Sequence, residues 1–205
     1  MEYAALILFI LSTSITPGPN NLMIMASGVN FGVRKSLPHL IGIDLGFPLL
    51  VVAVGMGISQ LFTLVPSLML WLKVVGVVYL SYLAVRIATT PVNNQQELES
   101  TQVVKPLTFL QAALFQWVNP KAWIMAVGAV ATYTVNTADY PSQVFVIAAL
   151  FFVFGTPCTV VWLGFGKALK RFLSRPSYQK LFNICMAVLL IGSLFPVIWE
   201  LIQLI

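Results

Sequence analysis

Residues 3–33 read YAALILFILSTSITPGPNNLMIMASGVNFGV, a run without one charged side chain, interrupted near its middle by Thr16-Pro17-Gly18-Pro19-Asn20-Asn21. The run exceeds the ~20 residues a helix needs to cross the hydrocarbon core of a bilayer. Each proline withholds a backbone N–H and crowds the preceding turn, so the helix has to open there. In lipid the freed carbonyls must find partners in protein or in a water-lined cavity. A membrane span broken near its centre is the first expectation. The segment reads as a retained helix, because only Glu2 precedes Tyr3 and no basic start or small-residue cleavage pattern marks a leader.

The rest of the chain repeats the pattern. Apolar stretches follow at about Pro38–Val65, Pro66–Ala88, Leu107–Tyr133, Ser142–Gly166 and Leu181–Trp199. None alternates like a membrane β-strand. The fold class expected is all-α and integral to the membrane, with six transmembrane helices. Composition agrees: 59% of residues are hydrophobic and 8% charged, against roughly 25% charged in a soluble domain, and mean hydropathy is +0.93. A soluble enzyme is excluded. So is nucleic-acid binding, although the net charge is +5, because the basic residues lie in short connections rather than in one stripe.

Those connections set an orientation. Arg34 and Lys35 follow the first stretch, Arg86 and Lys105 bound the connection after the third, and Lys167, Lys170, Arg171, Arg175 and Lys180 follow the fifth. The even-numbered connections and both tails carry no Lys or Arg. The positive-inside rule places the odd connections in the cytoplasm and both termini outside. Lys73 and Arg86, near the ends of the third stretch, can snorkel to an interface. His39 is expected at the cytoplasmic interface as well.

A polar linker, residues 91–105, divides a first repeat (1–90) from a second (106–205) within a single transporter-like domain. Three spans per half cross the membrane in opposite senses, which makes the halves inverted repeats. The helix breakers correspond. Thr16–Asn21 in the first span matches Asn119-Pro120-Lys121 in the fourth; Gly46-Phe47-Pro48 in the second matches Gly155-Thr156-Pro157 in the fifth. Proline kinks that serve packing alone are the plain alternative. Matched breaks beside Asn and Lys point instead to a cavity near the midplane.

The candidate lining residues are Asn20, Asn21, Asp44, Asn119 and Lys121, with Pro17, Gly18, Pro19 and Pro120 shaping the broken helices. The amides of Asn20 and Asn21 can hydrogen-bond a substrate or replace lost backbone partners. Glycine at position 18 lets the chain leave the helix without a Cβ clash. A charge near a helix centre costs roughly 2.5–3.5 kcal/mol on insertion scales, so it faces protein or water. One acid and one base in otherwise neutral spans are either partners or separate contacts for a zwitterion. Trp117 and Trp123 flank the fourth-span break and could pack on a ligand. Cys158 and Cys185 stand alone; no cofactor or metal motif occurs, and one histidine cannot build a metal cluster.

At these residues the sequence resembles a known family. Thr16–Asn21, Gly32-Val33-Arg34-Lys35-Ser36, Gly42-Ile43-Asp44-Leu45-Gly46-Phe47 and Phe115-Gln116-Trp117-Val118-Asn119-Pro120-Lys121 are similar to the motifs of the LysE/RhtB amino-acid exporters. The resemblance implies a bacterial inner-membrane efflux protein without a cofactor, driven by the proton gradient, with a small amino acid as its ligand. The neutral branch (threonine, homoserine, cysteine, O-acetylserine) is the nearer match, and Asp44 leaves basic amino acids open. Lys121 would take the substrate carboxylate, Asp44 the amino group or the proton, and Asn20, Asn21 and Asn119 hydrogen bonds. A membrane thiol–disulfide carrier and a non-transporting assembly subunit are the other classes. Homo-oligomerisation is left open.

Overall fold

The computed structural model describes residues 3–58, 60, 64–92, 105–173 and 175–203. Within them there are helices and connections and no strand. Four helical runs are long and apolar enough to cross a membrane: Pro19–Ile58, Ser67–Ala88, Tyr140–Lys170 and Pro176–Ile202. Tyr3–Ile15 and Phe109–Val118 are shorter apolar helices. Most of the polar linker, residues 93–104, lies outside the described residues.

In chain order α1 is Tyr3–Ile15, and α2 is Pro19–Ala53, continued by a π turn at Val54–Ile58. Next come α3 (Pro66–Ala88), α4 (Phe109–Phe115) with a 3-10 turn at Gln116–Val118, and α5 (Pro120–Tyr133). The chain ends with α6 (Tyr140–Leu150), a π turn at Phe151–Gly155, α7 (Thr156–Lys170), α8 (Pro176–Gly192) and α9 (Phe195–Ile202).

The 40-residue run Pro19–Ile58 is not one rod. Gly32 sits at φ 75° and ψ 171°, a conformation that a side chain with a Cβ rarely adopts. The hydroxyls of Ser27 and Ser36 hydrogen-bond at 2.7 Å, although nine residues of straight helix would hold them about 13 Å apart. The chain folds back at Gly32. The result is a hairpin of residues 19–31 and 33–53, with Arg34 and Lys35 exposed beside the turn.

Only two of the four proline sites open a helix. The gaps are Thr16–Gly18 between α1 and α2, and Asn119 before α5. At Gly46-Phe47-Pro48 the helix runs on unbroken, contrary to the expectation from sequence. Pro157 also lies in continuous helix, entered through the π turn at Phe151–Gly155. A widened turn lets a helix take up a local irregularity without parting.

Small residues bring the helices together, as is common where lipid surrounds them. A Cβ on Gly28 would stand 2.6 Å from the carbonyl oxygen of Leu163, and one on Gly166 would strike the carbonyl of Met25. Residues 19–31 and α7 are thus packed backbone to backbone. Gly42 and Gly46, one turn apart, meet the carbonyl of Phe109 and the backbone of Ala113 on α4 in the same way. Behind the α1 break a buried cluster forms from Leu6, Ile10, Leu50, Val51, Ala126 and Ile147. The outer faces are apolar too: Leu8, Val78, Ile124 and Val188 are all exposed. A surface of that kind belongs against lipid. Lys73, near the start of α3, pairs with the exposed Glu200 of α9.

Candidate functional site

The gap between α1 and α2 leaves the last carbonyls of α1 without helical partners. Side chains from three other places supply them. Asn21 Nδ2 donates to Ser14 O at 2.7 Å and Thr16 O at 2.8 Å. Trp162 Nε1, from α7, donates to Ile15 O at 3.0 Å. Lys121 Nζ, from the first turn of α5, donates to Thr16 O and Thr16 Oγ1, both at 2.8 Å, and to Pro17 O at 3.3 Å. Every carbonyl from Ser14 to Pro17 is satisfied. That is the condition for unwound backbone at membrane depth.

Gly18 has φ −178° and ψ 176°, extended backbone open to any residue, so the conformational reason expected for glycine does not apply. Its value is space: a Cβ there would stand 2.6 Å from Lys121 Cδ. Pro19 opens α2 at a position where its missing N–H costs nothing.

The second gap is built alike. Asn119 caps α5, its side-chain oxygen accepting from Lys121 N at 3.2 Å, with Pro120 in the first helical turn. Trp123 Nε1 donates to Trp117 O at 2.8 Å and the two rings meet edge to face. These tryptophans, candidates for stacking on a ligand, stitch their own helix break together. A reciprocal amide pair joins the two gaps: Asn20 Nδ2 donates to Gln116 Oε1 at 2.8 Å, and Gln116 Nε2 to Asn20 Oδ1 at 3.1 Å. Gln116 is fully buried.

Between the gaps lies a cavity of about 60 Å3. Asn20, Asn21, Asp44, Asn119 and Lys121 all line it, as does Gly18. Pro48 and Gly155, from the two sites where the helix stays closed, form part of the wall. Asp44 enters from residues 33–53 and is buried, and Thr159 on α7 lines the same cavity. Among the described residues Asp44 and Lys121 form no ion pair. They stand as separate charges on one cavity. Three participants escaped the reading from sequence: Gln116, Thr159 and Trp162. Gln116 had a local signal, a polar side chain three residues before Asn119 in an apolar stretch; the other two had none.

His39 is a correction. It was expected at an interface, and it is buried, 2% exposed, with neither ring nitrogen hydrogen-bonded. Cys158 is buried, Cys185 is exposed, and both are free. Among the described residues no group of His, Cys, Asp and Glu could hold a metal.

A profile of the family described as LysE type translocator matches residues 11–195. The cysteine/O-acetylserine efflux protein of Escherichia coli O139:H28 (strain E24377A / ETEC) is 33% identical over 184 residues, 89% of this chain and 90% of that protein. Proteins of the same name from Escherichia coli (strain K12) and Shigella flexneri serotype 5b (strain 8401) are 32% identical over the same shares. No solved structure matches. With apolar helices throughout and the family profile spanning nearly its whole length, the chain belongs to the LysE-type translocators and is a multi-pass membrane transporter rather than an enzyme.

Proposed function

We propose that this translocator exports a small neutral amino acid as a proton-coupled secondary carrier, and that the cavity between the two helix gaps is its substrate site. One observation carries the reading: an acid and a base reach the same cavity from different helices without neutralising each other. A zwitterion has the complementary pair of charges. Its carboxylate goes to Lys121, between the helix N-termini at Pro19 and Pro120, where the helix dipoles favour negative charge. Its ammonium goes to Asp44. Asn20, Asn21 and Asn119 already hydrogen-bond within the protein, so their part is to hold the walls.

Size argues for a small side chain. A cavity of 60 Å3 has room for about four to six water-sized groups, at 10–15 Å3 each. Cysteine, with about seven non-hydrogen atoms, is near that scale, and threonine and O-acetylserine, with about eight and ten, require the cavity to widen. The relatives named for cysteine and O-acetylserine efflux point the same way.

The architecture behind this is six spans in two inverted repeats, 1–90 and 106–205, joined by the linker 91–105. In this reading α1 with residues 19–31 forms the first span, residues 33–58 the second and α3 the third. The second half follows as α4 with α5, α6 with α7, and α8 with α9. Support comes from the hairpin at Gly32 and from the matched gaps. The odd connections face the cytoplasm of a bacterial inner membrane and the termini face outward. The two halves rock about the cavity to open it alternately, and Asp44 carries a proton on the return.

Counterflow in proteoliposomes with radiolabelled amino acids is the test. Cysteine, O-acetylserine, threonine or homoserine should exchange, faster under an imposed proton gradient, and overproduction should lower the cell's internal pool. Failure of every neutral and basic amino acid to exchange overturns the reading. Lysine exchanging faster than any neutral amino acid would give Asp44 a side-chain ammonium to bind, and the basic branch would replace the neutral one. Cys158→Ser with Cys185→Ser should keep exchange; its loss would favour a thiol–disulfide carrier.

A further inference from the structure

A second cavity, of about 50 Å3, lies towards the other end of residues 19–31. Asn20 lines the first cavity and Ser27 the second, seven residues and about 10 Å apart along the helix. The second is walled by Ser27 and Asn30, by His39 from the other arm of the hairpin, by Arg86 on α3, and by Lys105 before α4. Met23 and Leu107 add apolar surface.

The polar groups here are unevenly satisfied. Ser27 and Ser36 share a hydrogen bond, and Ser36 also donates to Gly32 O. Asn30 is tied to Asn183 and Gln179 of α8. Arg86 gives one guanidinium nitrogen to Lys105 O at 3.2 Å. His39 has no partner on either nitrogen although it is 2% exposed. An imidazole carries at least one N–H donor, and buried donors without acceptors are rare in folded proteins. Among the described residues, the charged ones lining the cavity are Arg86 and Lys105, with no carboxylate beside them. Two cations, an idle imidazole and room for a few atoms suit a carboxylate, which a guanidinium grips with two parallel hydrogen bonds.

We propose that this second cavity is an access site that binds the carboxylate of the amino acid before it reaches the central cavity, with Arg86 as the clamp and the His39 imidazole as a further donor. Arg86 and Lys105 stand at the basic connection assigned to the cytoplasm, so the site meets an exported substrate first. The identity of the ligand, an amino acid, rests on the transport reading above.

His39 is the chain's one histidine, so histidine labelled with nitrogen-15 reports this site alone. The full chain, purified with a histidine-free tag in lipid nanodiscs, is titrated with L-threonine, with acetate, and with L-threoninamide, which lacks the carboxylate. Threonine and acetate should shift the imidazole resonances and threoninamide should not. Arg86→Gln should weaken both responses at least tenfold. Lys121→Gln, which removes the cation of the central cavity, should leave them in place. Absence of a shift with either carboxylate, an equal shift with the amide, or an undiminished response in Arg86→Gln overturns the site. A response lost in Lys121→Gln overturns it too, since the signal would then come from the central cavity. A shift with acetate alone overturns the amino-acid assignment. Should Arg86→Gln not fold, Arg86→Lys keeps the charge without the two-pronged grip and should show the same loss. Counterflow by the unaltered protein tests the transport reading independently.

Discussion

The ammonium of Lys121 donates to both the carbonyl and the hydroxyl oxygen of Thr16, each at 2.8 Å, across 105 positions of sequence. One side chain at the start of α5 thereby caps the broken end of α1. The acceptors lie at the negative end of the α1 dipole, where a cation is favoured. The same ammonium borders the central cavity, so stability and ligand contact meet in one group. A substrate carboxylate would share this ammonium with the helix end or displace it.

Removing either charge should therefore act separately. Lys121→Gln should lower stability by about 1–3 kcal/mol, because the Pro17 carbonyl loses its donor and the Thr16 carbonyl keeps only Asn21, and Asp44→Asn should have its own effect. Because the two residues share a cavity, the double variant should depart from the sum of the singles by no more than about 1 kcal/mol, towards the low end for such pairs, read by thermal unfolding in detergent. It should not recover transport. A coupling of 1.5 kcal/mol or more, or recovered exchange, would show that the two charges serve chiefly to neutralise each other.

The Asn20–Gln116 pair should behave in the opposite way. Gln116→Leu strands the Asn20 amide and should destabilise by about 1–3 kcal/mol. Adding Asn20→Leu removes the stranded group, so the double variant should cost less than the sum of the singles. Strict additivity in the same unfolding assay would mean that the two amides do not depend on each other.

Two glycines on α7 make a controlled comparison. Gly166→Ala drives a methyl into the carbonyl of Met25, whereas a Cβ on Gly164 meets nothing within 4 Å. Gly166→Ala should reduce folded yield sharply. Gly164→Ala should leave it intact or raise stability by up to about 1 kcal/mol through helix propensity. Size-exclusion profiles and melting temperatures of the two variants decide the matter; equal behaviour would contradict the close helix approach.

Orientation is testable with fused reporters. A fusion after Arg171 should read cytoplasmic and one at Asn136 external, following the positive-inside bias. Reversed readings would invert the access path assigned to the second cavity.

The fold was legible where the physics is local. A run such as 3–33 without charge implies a membrane helix, and Pro17, Pro19 and Pro120 imply lost backbone bonds near its middle, whatever surrounds them. The same rule misled at Gly46-Phe47-Pro48, where the helix continues through Pro48 to Ala53. Proline removes one hydrogen bond; whether the helix parts or merely adjusts depends on what packs beside it. His39 misled for the same reason. Its neighbours in sequence suggested an interface, while the packing of the helices leaves it 2% exposed.

By itself the sequence determined that this chain is a set of apolar helices, at which four proline sites a helix could let go, and which polar residues stand beside them. Transfer into lipid and the missing proline N–H act over one or two turns, so both can be read along the chain. Tertiary structure alone decided which groups take up the freed carbonyls, that Asn20 answers Gln116, and that Asp44 and Lys121 face one cavity without touching. Those are contacts between residues as many as 147 positions apart, as with Trp162 and Ile15, and they exist only once the helices have packed.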